Sequence, residues 1–174
     1  MTIVLVACGV PSAAFDAALG SCTESVALEV RTTSGEFARA EGTPKAELVL
    51  GFQGFKYVYV RARLDGPMTE PRAEVRVELD GGAVRSQPLG RLRLYETEAA
   101  DFQTDPIRVF FNDDPLPSLI DRGCGLTLKV EEKDCQAKTS AHVVLSYDPG
   151  CYEGPDGQRE CPDAAPPSAD GGTP

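Results

Sequence analysis

The residues able to do chemistry in this chain are six cysteines, one histidine and a surplus of carboxylates. The cysteines stand at positions 8, 22, 124, 135, 151 and 161, none in a CxxC pair, and His142 has no cysteine near it in sequence. Paired zinc ligands usually lie about two to four residues apart, so this spacing points to disulfides in an oxidising compartment rather than a metal site. A Ser-His-Asp or Cys-His arrangement would depend entirely on His142, and Ser140 and Ser146 are merely its neighbours along an extended segment, which argues against a hydrolase. No P-loop or dinucleotide fingerprint occurs, and the Gly-rich runs have no following helix to receive phosphate. Two clusters remain. Asn112-Asp113-Asp114, with Asp101, Asp105 and Asp121 as prospective neighbours, gathers hard oxygens of the kind that hold Ca²⁺, although without EF-hand spacing; a solvated turn is the plainer account. Tyr57, Tyr59, Arg61 and Arg63 form an aromatic and cationic stripe, a candidate binding face for protein or glycan, or simply a half-exposed face held by cross-strand pairs.

The elements that must carry these residues read as strands. Val58, Val60, Ala62 and Leu64 alternate with the Tyr/Arg stripe, and the same period of two appears at Val26, Leu28 and Val30, at Val75, Val77 and Leu79, and in Arg91-Leu92-Arg93-Leu94. It continues at Ile107, Val109 and Phe111, at Leu126, Leu128 and Val130, and at Ala141, Val143, Leu145 and Tyr147. Turn residues punctuate the pattern at Ser34-Gly35, Asp65-Gly66-Pro67, Asp80-Gly81-Gly82, Asn112 to Pro115 and Asp148-Pro149-Gly150. About seven or eight such strands imply an all-β fold, a two-layer antiparallel sandwich. Helical candidates are short: Ser12 to Leu19, Glu96 to Phe102, and Leu116 to Ile120, the last expected as a crossover between sheets. The 174 residues suit one domain, here residues 23–151, preceded by a small-residue tether (1–22) and followed by a Pro/Gly/Asp-rich tail (152–174) expected to be disordered. Seventeen basic against 27 acidic residues give a net charge of −10, which argues against non-specific nucleic-acid or anionic-membrane binding.

Leu5-Val6-Ala7-Cys8 resembles the lipobox of bacterial lipoproteins, in which the cysteine is lipidated after cleavage. Export signals carry a basic region and roughly 7–15 apolar residues, and only the apolar stretch Ile3 to Ala7 precedes Cys8. Either the natural start lies upstream, which is the expectation, or the motif is accidental and Cys8 is a buried or paired cysteine. Gly51-Phe52-Gln53-Gly54-Phe55, leading into the strand that ends at Leu64, resembles the G-x-Q-G turn of uncharacterised bacterial secreted and lipoprotein domains. That resemblance implies an immunoglobulin-like or fibronectin-like sandwich and an envelope address, and no activity. Phe55 replaces a glycine and Tyr57 a common histidine of that motif.

Cysteine pairing follows from this frame. Cys124 and Cys135 at the two ends of one strand would lie about 26 Å apart at roughly 3.3 Å per residue, too far to bond. An immunoglobulin-like topology would bring Cys135 to Cys22, and the return strand would bring Cys151 to Cys124, with Cys151 to Cys161 as the local alternative. If Cys8 carries lipid, Cys161 is then the spare thiol; if not, Cys8 can pair with it.

The expected function is a non-enzymatic lipoprotein or secreted accessory domain. It would lie in the periplasm or at the cell surface, held to a membrane by lipid alone, and bind a protein or glycan of the envelope. A structural spacer in an envelope assembly is the alternative, and a carboxylate-dependent enzyme ranks third. No cofactor other than calcium is expected.

Overall fold

The long strand β4 (Lys56–Leu64) shows how the alternation becomes a fold. Val58, Val60, Ala62 and Leu64 point to one side and are buried among other apolar side chains. One edge of β4 carries β1 (Val26–Arg31) beside its C-terminal half and β3 (Lys45–Leu50) beside its N-terminal half. The other edge carries β9 (Ile107–Phe110), with Tyr57 opposite Phe110, and β8 (Phe102–Thr104). Short strands β2 (Phe37–Arg39) and β7 (Leu94–Glu96) extend this group beyond β1 and β8. The computed structural model describes residues 25–161 apart from 67, 69, 70, 83, 100 and 134.

A second group runs β11 (Cys135–Ser146), β10 (Gly123–Glu132), β5 (Arg72–Leu79), β6 (Val84–Arg91), antiparallel throughout. Strand β3 joins the groups: its first residues pair in parallel with β11, Lys45 opposite Val144, while its last pair antiparallel with β4. The apolar sides of both groups, including Val30, Val60, Phe111, Leu126 and Leu145, meet in one buried cluster. The short helix α1 (Leu116–Leu119) carries the chain from β9 to β10, between the two groups as expected, and buries Leu119.

The fold is all-β, but thirteen strands are present among the described residues where about seven or eight were expected. Strand β3 escaped because it has no alternation: Ala46, Glu47, Leu48 and Val49 are all buried, so neither face is wet. Strand β6 contains Pro88 and Gly90 and shifts register against Ala73 and Glu74, the mark of an edge strand. The segment Arg91 to Leu94 is a junction, since β6 ends at Arg91 and β7 begins at Leu94. Glu96 to Phe102 is a tight β connection rather than a helix, closed by the Thr97 amide donating to the Asp101 carbonyl at 2.8 Å.

The tail expectation also needs correction. Residues 152–161 fold back as a hairpin, β12 (Tyr152–Glu153) with β13 (Arg159–Glu160), closed by a disulfide between Cys151 and Cys161. The turn sequence Gly154-Pro155-Asp156-Gly157, with Gly157 at φ +79°, supplies the reversal. Residues 162–174 lie outside the described residues, as do Cys8, the segment 1–22 and the helix candidate Ser12 to Leu19. Among the described residues no helix is long and apolar enough to cross a membrane.

This hairpin overturns the pairing of Cys124 with Cys151. Cys124 stands opposite Val143 in the β10–β11 ladder, so Cys151, eight residues further on, overshoots it by far more than a disulfide spans. Cys124 is instead a free thiol turned into the core, fully buried, and burial pushes it up to about 12. Cys135 is disulfide-bonded, and Cys22, its expected partner, lies outside the described residues.

Candidate functional site

On the side of β4 opposite the core, Tyr57, Tyr59, Arg61 and Arg63 do share one face, as alternation requires. The face is not open: Tyr57 is 3% and Tyr59 7% exposed, packed with Val49 and Phe37 in a second small apolar cluster. Guanidinium groups lie over the rings, Arg31 at 4.3 Å from the centre of Tyr59 and Arg61 at 4.5 Å from that of Phe37. Buried carboxylates hold those cations. Glu29 takes Arg61 at 2.6 Å, while Glu47 takes both Arg31 at 2.7 Å and Arg159 of β13 at 2.6 Å. Arg63 is held by Asp101, which its guanidinium keeps below the usual carboxylate range. The stripe is therefore consumed by internal pairing, because charges half removed from water need partners.

What the stripe does build is the floor of a cleft at its Tyr57 end. Glu153, brought in by β12 and 4% exposed, accepts from the Tyr59 hydroxyl at 2.6 Å and from Arg108 Nη2 at 2.8 Å. Arg108 Nε donates in turn to the Tyr59 oxygen at 3.0 Å. Burial first, then the Glu153 carboxylate, pushes the phenols of Tyr57 and Tyr59 up, so both remain protonated well above neutrality. Both oxygens of Glu153 are thus spoken for, which suits a fixed scaffold better than a proton-transfer group.

Above this floor lies a cleft of about 660 Å³ between the Gly51–Phe55 turn, β9 and the disulfide hairpin. Phe52, 70% exposed at the turn, and Phe55 and Phe110 supply its apolar walls; Gln53 and Asn112 add amides. The rings meet edge to face, Phe55 and Phe110 at 6.1 Å and 72°, Tyr57 and Phe110 at 5.5 Å and 66°. The Gly-x-Gln-Gly residues explain the turn: Gly54 adopts φ +78°, and a Cβ on Gly51 would come within 3.0 Å of the Tyr57 ring. A backbone bridge from Gly51 to Glu153 ties the turn to the hairpin.

The other sequence candidates are dispersed. Asn112 accepts from the Lys56 amide at 3.1 Å, Asp114 grips Arg85 with one contact at 3.0 Å, and Asp113 is exposed, so these three do not converge as calcium ligands. Asp105 accepts from the Tyr95 hydroxyl at 3.1 Å, and Asp101 is with Arg63. Among the described residues no three His, Cys, Asp or Glu side chains gather as a metal site. His142 Nε2 lies 3.0 Å from Asp80 Oδ1 on the exposed face of β11, and Ser140 bonds Thr127 at 2.9 Å instead of the imidazole.

Compared with protein-family models, with curated proteins and with solved structures, the chain matches none. The cleft residues Arg108, Phe110 and Glu153 were not singled out from sequence. The Pro155-Asp156-Gly157 turn bracketed by Cys151 and Cys161 was the legible signal for the hairpin that completes the site.

Proposed function

We propose that this chain is a non-enzymatic, exported binding module of the cell envelope, an immunoglobulin-like sandwich that engages a protein or glycan partner through the cleft beside the Gly51–Phe55 turn. One observation carries the reading: three solvent-exposed phenylalanines converge on a concavity lined below by Tyr57, Arg108 and Glu153, the last two fixed by their bonds to each other and to Tyr59. Exposed aromatics around a concave, pre-formed site are what binding surfaces supply, and their exposure is otherwise costly.

The disulfide-bonded state of Cys135, Cys151 and Cys161 supports an oxidising compartment. The lipobox-like segment adds lipid attachment at Cys8 to the proposal, which the mass of the mature N-terminus tests. For binding, purified chain and its Phe52→Ala/Phe110→Ala variant are compared in capture from solubilised envelope fractions and on a glycan array. Expected is a species retained by the wild type and lost by the variant at unchanged thermal midpoint. Capture that ignores the double substitution, or no capture on either platform, overturns the proposal.

A further inference from the structure

The cleft does not end at Phe110. Arg108 and Phe110 are the two outward residues of β9, and on their far side a second concavity of about 490 Å³ opens, lined by Leu89, Leu92, Pro106 and Ile107. The two side chains wall both concavities, so the surface is one groove with two pockets and a central ridge.

How a ligand can use it is constrained by Gln87. Its amide donates to the Arg108 carbonyl at 2.8 Å and accepts from the Phe110 amide at 3.1 Å, occupying the backbone groups that an added strand would pair with. Strand addition to β9 is blocked there, and affinity must come from side chains entering the pockets. The second pocket is walled largely by aliphatic groups, with the Tyr59 ring beside them, a lining suited to an apolar side chain rather than to a polar sugar. The charged pair in the floor is neutralised internally, Arg108 by Glu153. Acidic side chains sit next to the first pocket's lining: Asp156 between Pro155 and Gly157 on the hairpin, and Asp113, 85% exposed beside Asn112, whose 3.9 Å contact is to an Arg85 it shares with Asp114, in a chain of net charge −10.

We propose that the groove takes an extended segment of a partner protein, with one apolar side chain in each pocket and lysine or arginine flanking them. This rests on the reading of the first cleft as the binding site. The complementary charge steers association and sets its salt dependence.

The test uses the full chain against a random peptide library displayed on phage, followed by anisotropy titration of the enriched peptides. Expected are sequences with two apolar residues and basic flanks, losing about tenfold or more in affinity with Phe52→Ala and with Leu89→Ala, and weakening with added salt. Because Leu89 also packs against the core, photoreactive leucine placed at each apolar position of the peptide provides a second readout, crosslinking to the Phe52 side from one position and to Leu89 or Leu92 from the other. Binding through a single anchor, indifferent to Leu89→Ala and without the second crosslink, overturns the two-pocket inference and leaves the cleft standing. No enriched peptide, with Phe52-dependent binding on the glycan array, overturns the peptide assignment. Failure of every platform takes the cleft reading with it.

Discussion

The Tyr59 hydroxyl donates to the Glu153 carboxylate at 2.6 Å, joining the middle of β4 to a residue 94 positions later in the disulfide hairpin. Arg108 bonds both partners, so a tyrosine, an arginine and a glutamate from three separate segments close one ring of hydrogen bonds. Removing Glu153 leaves a buried phenol and a half-buried cation without their acceptor. Glu153→Ala is expected to cost about 3 kcal/mol, the low end for a broken buried pair because Arg108 still reaches water, and Tyr59→Phe about 1–2 kcal/mol. Urea unfolding measures both. Faster proteolysis between Cys151 and Cys161 in Glu153→Ala, at unchanged cleavage elsewhere, locates the loosening in the hairpin.

The same network sets an alkaline limit. Tyr57 and Tyr59 are held above the ordinary value of 10.0, chiefly by burial and then by Glu153. Above about pH 10 the unfolded chain releases protons that the folded chain keeps, so the unfolded state binds fewer protons and stability falls as pH rises. Below pH 10 both states are protonated at these positions and their contribution is flat. Thermal midpoints recorded from pH 8 to 11 are expected to decline only at the alkaline end, and less steeply in Tyr57→Phe. An equal decline in that variant assigns the effect elsewhere.

Cysteine connectivity provides a check that needs no variant. Non-reducing digestion is expected to yield Cys151 linked to Cys161, and Cys124 is expected to resist alkylation at neutral pH until the chain is denatured. Its thiol is fully buried and pushed up to about 12, which starves the reagent of both access and thiolate. A recovered Cys124–Cys151 peptide contradicts the observed ladder register.

Legibility in the sequence followed residue type. Strands in which aliphatic residues alternate with polar, charged or tyrosine side chains, β1, β4, β5, β9, β10 and β11, announced themselves by that alternation whether or not the second face is open, and their turns by Gly, Pro, Asp and Asn. Strand β3 did not, because burial on both sides removes the polar half of the signal, and β12 and β13 are too short to show a period. The stripe Tyr57 to Arg63 does lie on one face, but the sequence left it between a binding face and a half-exposed face held by cross-strand pairs; period two assigns a side and says nothing of what packs over it. Glu29, Glu47 and Glu153 cover or neutralise that side from distant positions, and such long-range pairing leaves no local trace. The disulfide swap arose similarly: Cys151 was placed beside Cys124 from strand order, whereas the register Cys124 opposite Val143 decides against it.

Gln87 covers the edge of β9 that faces away from β4. Strands β6 and β9 are not joined by a backbone ladder, yet the Gln87 side chain mimics one residue of such a ladder by bonding Arg108 O and Phe110 N, while Arg85 reaches Asp114 two residues before it on the same strand. Exposed strand edges invite pairing with other chains, and this substitution of a side chain for a strand is a way to blunt one. Gln87→Ala frees both groups to water, so the direct cost is about 1 kcal/mol. The larger consequence is an uncovered edge on β9. Size-exclusion chromatography at rising concentration is expected to show self-association in Gln87→Ala that the wild type lacks, and Gln87→Glu is expected to recover the bond to the Phe110 amide while losing that to the Arg108 carbonyl. If Gln87→Ala stays monomeric and its thermal midpoint is unchanged, the amide is a passive surface contact and β9 is protected by some other feature.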